Sequence, residues 1–395
     1  MINLYQIKAK LLQMLQNEKS TRTGWIDFVR GFAILAVVLN HSNAFSTIFS
    51  NARFIILSFF SVTLLIFISG YNFYNTYFKR KILTYPYKLV VKKAAKLFVP
   101  YVLAITLTSW IITETYDLMY IIKQIPTFST WGPYYYVFLY LQLLLISPVM
   151  YFAVMLCCKK SQSILHKTIN TSVLIVCVYI VSYFSFASTK TFEIWGGAKY
   201  IGGGSYLLVM ATGMLMANFT KSNISVETKE ADVRKRRVFL WIAAAISWIS
   251  LFVFAFFWER NNYEIFSFET KIWFIGATDK AQSATVLFYS VLVFISLYFL
   301  YNAIETLPPT CMKLCKLICL PIETCGKYSM DIFLYHMPVQ YFILLKANKL
   351  WATDISRTYK ILILFSMVFV PILVRLCYNK VAAILKQKVS SISYD

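Results

Sequence analysis

Ten apolar segments, each near the roughly 20 residues a helix needs to cross a bilayer, recur along this chain at short intervals. They lie near 28–46, 54–74, 97–113, 134–157, 169–187, 203–219, 238–258, 284–303, 328–346 and 361–379. Lipid offers no hydrogen-bond partner to a peptide group, so such a segment must satisfy its backbone within its own helix or within a closed barrel. Continuous apolar runs without two-residue alternation point to the helix. The expectation is an all-α polytopic bundle of about ten spanning helices over residues 25–380, with a 381–395 tail and no soluble appendage. Residues 1–24 do not read as a cleavable signal, because no sufficient apolar core follows the early lysines. Leu4, Ile7, Leu11 and Leu15 stand at helical spacing, which suits a short interfacial helix.

Charge sets the orientation. The chain is 59% hydrophobic and 14% charged, which leaves too little polar surface for a soluble protein of 395 residues. Its net charge of +22 resembles that of a nucleic-acid binder, but the charge sits on alternate loops. With the N-terminus inside, 27 of the 39 lysines and arginines fall in the inner segments 1–25, 75–98, 158–167, 219–237, 304–327 and 375–395. That is the positive-inside pattern, and anionic headgroups rather than nucleic acid are the partner it implies. A multi-pass protein of the cell (inner or plasma) membrane with both termini cytoplasmic is expected.

The first span, "DFVRGFAILAVVLNH" (27–41), carries groups that lipid does not tolerate cheaply. Arg30 and His41 lie about 20° apart around the helix and about 16 Å apart along it, and Asp27 falls on the same stripe. Ionisable groups at that depth usually face a bundle interior or an aqueous cavity. Asp27 and Arg30 also suit an interfacial anchor pair, and His41 a structural hydrogen bond. The ninth segment repeats the pattern: "GKYSMDIFLYHMPV" (326–339) places Ser329 and His336 on one face, followed by Pro338. Two of the three histidines thus lie inside spans, while His166 sits among Lys159, Lys160 and Lys167 and reads as solvated. No third and fourth ligand accompanies the buried pair, so proton handling is the more economical reading. Cys311, Cys315 and Cys319 share a helical face, but their spacing matches no zinc or cluster motif, and small packing residues are expected.

These stretches resemble the membrane-bound acyltransferase-3 family. Its first signature has an Asp-x-x-Arg-Gly opening on a helix that ends in histidine. "FISGYNFY" (67–74) is similar to the family's Ser-Gly element. "TWGPYYYVFLYLQLLLISPVM" (130–150) is similar to its Trp-containing lead-in to the fourth span. "GKYSMDIFLYHMPV" resembles its late Gly-x-x-Ser…His-x-Pro element. Between 160 and 320 only the hydropathy pattern agrees. Two places depart: "KKAAKLFVPY" (92–101) has Lys93 and Lys96 where an Arg-x-x-Arg pair is usual, and Trp131 is followed by Gly132 and Pro133.

The resemblance implies transfer of an acyl group, usually acetyl, from cytoplasmic acyl-coenzyme A to a hydroxyl of a surface polysaccharide or lipid-linked sugar. Acyl-CoA is then a co-substrate, and no permanently bound cofactor is implied. An alcohol needs a base during attack, and His41 could be that base or carry the acyl group as a covalent intermediate; with His336, Asp27 and Arg30 it forms the candidate catalytic set. Lys93, Lys96, Arg30, Ser69 and Trp131 are the candidate donor-binding set. Each lysine equally suits a plain topology signal, and Arg30 could pair with the donor or with Asp27. A proton-coupled transporter or flippase for glycans or lipid-linked precursors fits the same buried histidines, but no similarity between the two halves of the chain supports it.

Overall fold

The computed structural model describes residues 24–42, 58, 60–112, 116–128, 134–158, 163–191, 203–204, 206–222, 230–260, 284–346 and 357–392. Among them are twelve α-helices and no strand. In chain order these are α1 (Gly24–His41), α2 (Ser61–Lys79), α3 (Tyr87–Ile112), α4 (Leu118–Thr127), α5 (Tyr135–Cys157) and α6 (Ile164–Thr191). There follow α7 (Tyr206–Ser222), α8 (Glu230–Arg260), α9 (Ala284–Ile304), α10 (Pro309–Lys327), α11 (Ser329–Lys346) and α12 (Arg357–Ile392). Each of the ten expected segments falls on one of these helices.

Seven of the helices, α1, α3, α5, α6, α8, α9 and α12, are long and apolar enough to cross a membrane. The other three expected spans, α2, α7 and α11, are present as helices but are shorter or more polar. Ser69, Asn72 and Thr76 dilute α2, and Asp331, His336 and Gln340 dilute α11. Both helices are packed largely inside the bundle, where polar groups are tolerated because they do not meet lipid. Segment 1–24, expected as an interfacial helix, lies outside the described residues except for Gly24. Most of the expected tail belongs to α12, which runs unbroken to Ile392.

Stretches expected as loops are helical instead, α4 among them. Pro86, whose carbonyl accepts from the amides of Leu89 and Val90, opens α3 ten residues before the apolar segment begins. No breaker follows until Pro100, so Lys88, Lys92, Lys93 and Lys96 ride on the helix. Residues 309–327 form α10, with Pro309 at its first position.

α1 runs through the middle. It packs against α2, α9, α10, α11 and α12, and 56% of its span is buried against 17% for the outlying α6. Glycine permits the closest crossing. A methyl at Gly31 would strike the Ile322 carbonyl of α10, and one at Gly326 the Asp27 carbonyl of α1. Trp25 then wedges edge-on among Tyr71, Phe294 and Tyr298, with ring centroids 5.0–5.8 Å away, fixing α1 between α2 and α9.

Of the six prolines inside described helices, two free carbonyls that hydroxyls take up. Pro338 cannot donate to Leu334, whose oxygen accepts from Tyr134 Oη at 3.2 Å. Pro148 likewise leaves Leu144, whose oxygen accepts from Ser147 Oγ at 2.8 Å.

Candidate active site

The starts of α1, α3 and α11 and the last turns of α2 meet at one end of the bundle. Between them lies a cavity of about 430 Å³ lined by Arg30, Lys93, Lys96, Ser69, Asn72 and Thr76. Phe73, Leu97, Tyr140 and Met330 complete the wall. Lys93 and Lys96 reach it together because they stand three apart on α3. The Lys93 ammonium lies 4.9 Å from the Phe73 ring centroid and 5.7 Å from that of Tyr77, so the ring faces hold a cation that would otherwise lose water. Arg30 lines the cavity and also stands 3.9 Å from Asp27, which is buried. The two partners open to Arg30 from the sequence are therefore compatible: it can hold Asp27 while facing the cavity. Ser69 donates to the Leu65 carbonyl at 2.7 Å, so its oxygen can only accept, and the Tyr136 hydroxyl is one donor to it.

Toward the interior, aromatic rings close the cavity. Tyr140, in its wall, is 5.9 Å from Phe73 and 6.2 Å from Tyr136. Tyr136 in turn packs on Phe333 at 4.6 Å, and Phe333 lies 6.0 Å from His336. Along α11 from Met330 to His336 is six residues, or about 9 Å.

Beyond this seal the two intramembrane histidines meet, their ring centroids 5.5 Å apart and tilted 42°. His336 is fully enclosed, whereas His41 is partly exposed at the end of α1. The Nδ1 atom of His336 lies 2.8 Å from the Phe333 carbonyl and 3.1 Å from that of Ile332. A carbonyl can only accept, so Nδ1 carries the hydrogen and the neutral ring presents a lone pair at Nε2. That Nε2 has no hydrogen-bond partner among the described residues. The result is an imidazole of fixed tautomer beside a second, more accessible one. This pairing suits proton transfer from a weakly acidic group.

Residues 23–376 match the family described as an acyltransferase domain, acyltransferase-3. The chain belongs to the acyltransferase-3 family. Together with the apolar helices, this makes it a multi-pass membrane acyltransferase. No curated protein and no solved structure matches it.

Of the residues singled out in the acyltransferase sequence, Arg30, Ser69, Lys93 and Lys96 converge on the cavity, and His41 and His336 converge beyond it. Trp131 lies outside the described residues. The cavity also contains Asn72 and Thr76, which the sequence reading passed over. Their signal was present, since they follow Ser69 by three and seven residues on one face of α2. Asn72 Nδ2 is buried with no partner among the described residues. Gln340, also unforeseen, is four residues after His336.

The cysteines and the third histidine behave otherwise. Cys319 is buried, and desolvation, followed by the nearby Glu323, pushes its thiol up to about 11. It is thus held as a packing thiol. Among the described residues no cluster of three or more metal-ligating side chains occurs. His166 is exposed at the start of α6, with Ser163 Oγ 2.7 Å from its Nδ1.

Proposed function

We propose that this acyltransferase moves an acyl group, acetyl being the simplest case, from acyl-CoA to a hydroxyl of a polysaccharide or lipid-linked sugar. The observation that carries the reading is the alignment of three elements: a cavity with three cations, a narrow aromatic seal and a histidine pair. A polyanionic nucleotide suits Arg30, Lys93 and Lys96, and the charge-assisted contacts they offer are the strong kind. A thin acyl-pantetheine arm is the part of such a donor that could thread past Tyr136 and Phe333 once their side chains turn. The positive-inside bias supports a cytoplasmic cavity, on the side where acyl-CoA is made.

In the reaction, the acceptor oxygen attacks the thioester carbonyl carbon while His41 takes the hydroxyl proton. The carbonyl π pair moves to oxygen and then returns. The C–S bond breaks, and the departing thiolate recovers the proton from His41. His336, a neutral ring 5.5 Å from His41 between centroids, stabilises the imidazolium that forms transiently.

The test uses purified protein in lipid nanodiscs with acetyl-CoA and a glycoside acceptor. His41→Ala should lower ester formation by about 10²–10⁴-fold, the usual contribution of a general base, while the melting temperature stays near that of the wild type. A wild-type rate in folded His41→Ala protein would refute the assignment and bring a carrier function forward.

A further inference from the structure

Gln340 lies on α11 one turn beyond His336, about 6 Å further from the basic cavity. Its side chain is wholly enclosed, at 0% exposure. Neither its amide oxygen nor its amide nitrogen has a hydrogen-bond partner among the described residues. Buried amides in folded proteins are nearly always paired, and one with both ends empty carries a desolvation penalty that an apolar side chain would avoid.

Its place on the helix gives its neighbours along one stripe. Phe333, His336 and Gln340 follow at steps of three and four and so form one stripe of α11. Phe333 packs on Tyr136 at the seal and His336 packs on His41, so Gln340 is next in line on the side away from the cavity. Directly after His41, the buried hydroxyl of Ser42 also lacks a partner among the described residues. Unfilled polar capacity therefore gathers at the end of the histidine pair opposite the basic cavity.

We propose that Gln340 is a subsite for the acceptor and that it binds the hydroxyl adjacent to the one being acylated. The inference rests on the O-acyltransferase reading and specifies its substrate as a polyol with neighbouring hydroxyl groups. Position selects between donor and acceptor: the pantetheine arm has amides of its own, but the donor enters from the basic cavity and Gln340 lies beyond the histidine pair. A sugar hydroxyl fills both ends of the amide: its O–H donates to Oε1, and its oxygen, or that of its neighbour, accepts from Nε2–H. Such a site rejects an analogue lacking the hydroxyl, because the amide is then buried unpaired again.

The experiment measures acetyl transfer from acetyl-CoA to a panel of alkyl hexopyranosides, each paired with its monodeoxy analogues. Protein in nanodiscs is compared as wild type and as Gln340→Met, which keeps the volume and removes the polar atoms. Gln340→Met should raise KM for the best glycoside about tenfold, while KM for acetyl-CoA does not move. The wild type should lose a similar factor against one deoxy analogue, and the variant should treat that analogue and its parent alike. The melting temperature should hold or rise, since an unsatisfied amide has gone. Unchanged acceptor KM in the variant, or full retention of deoxy discrimination, overturns the assignment and leaves the acyltransferase reading standing. Absence of transfer by the wild type to every glycoside overturns both.

Discussion

Replacing Lys93 and Lys96 together with alanine tests the donor side of the site. A charge-assisted contact contributes roughly 1.5–3 kcal/mol when shielded, but an exposed pair only about 0.2–1 kcal/mol. Lys93 is half-buried and held over Phe73, so the lower part of the first range applies to it. Lys96 is exposed and takes the second. Their joint loss is about 2–3 kcal/mol, a rise in apparent KM for acetyl-CoA of roughly 30- to 150-fold at 1.4 kcal/mol per tenfold. The phosphates do not take part in bond making, so kcat should change little. Steady-state kinetics in nanodiscs provides the measurement, with acetyl-pantetheine, which has no nucleotide phosphates, as the control donor. The double variant should use acetyl-pantetheine as well as the wild type does. An unchanged KM for acetyl-CoA in folded protein would refute the reasoning, and so would an equal loss with acetyl-pantetheine.

Tyr134→Phe should cost about 1–3 kcal/mol by taking the hydroxyl from the Leu334 carbonyl and from Thr108 Oγ1, and Pro338→Ala, which restores a helical N–H, should recover the Leu334 part of that cost. Additive effects on thermal unfolding would show that the hydroxyl does not serve that carbonyl. Gly31→Val should lower the melting temperature sharply or abolish the folded monomer in size-exclusion profiles, because the added side chain meets the Ile322 backbone. A wild-type melting curve would mean that α1 and α10 do not cross so closely. A single cysteine at Leu83, 88% exposed between α2 and α3, should react with an impermeant maleimide only from the cytoplasmic face. Labelling from outside would move the basic cavity, and hence the donor, to the opposite side.

What could be read in the sequence was largely what is local. The stripe of Asp27, Arg30 and His41 is a property of one helix, and helix geometry alone placed it. The convergence of Ser69, Lys93 and Lys96 on Arg30 was visible only through the family resemblance, because each residue comes from a different helix. The contact between His41 and His336 was not legible at all. Both were marked as buried, but nothing in a periodicity records that helices from opposite ends of the chain lie side by side. Asn72 and Gln340 went unseen because a lone amide in an apolar run looks like tolerated noise until its neighbours are known. The helical start of α3 was missed because four lysines suggested a loop. On a helix, their spacing is what turns Lys93 and Lys96 inward while Lys92 stays exposed.

The aromatic seal between the cavity and the histidines bears on what the cell risks by keeping such a protein in its membrane. A water-filled cleft reaching toward mid-bilayer is a partial short circuit for protons and sodium, and a transferase turning over slowly would be exposed to that leak continuously. Tyr136 and Phe333, with ring centroids 4.6 Å apart, put an apolar contact between the cavity and the histidine pair. Arg30, Lys93 and Lys96, with only Asp27 opposing Arg30, leave the cavity net positive, which disfavours a cation and attracts a polyanion. The residues that would suit a phosphorylated donor would thus also oppose an ion leak, and widening the contact between Tyr136 and Phe333 should raise ion permeability before it improves catalysis.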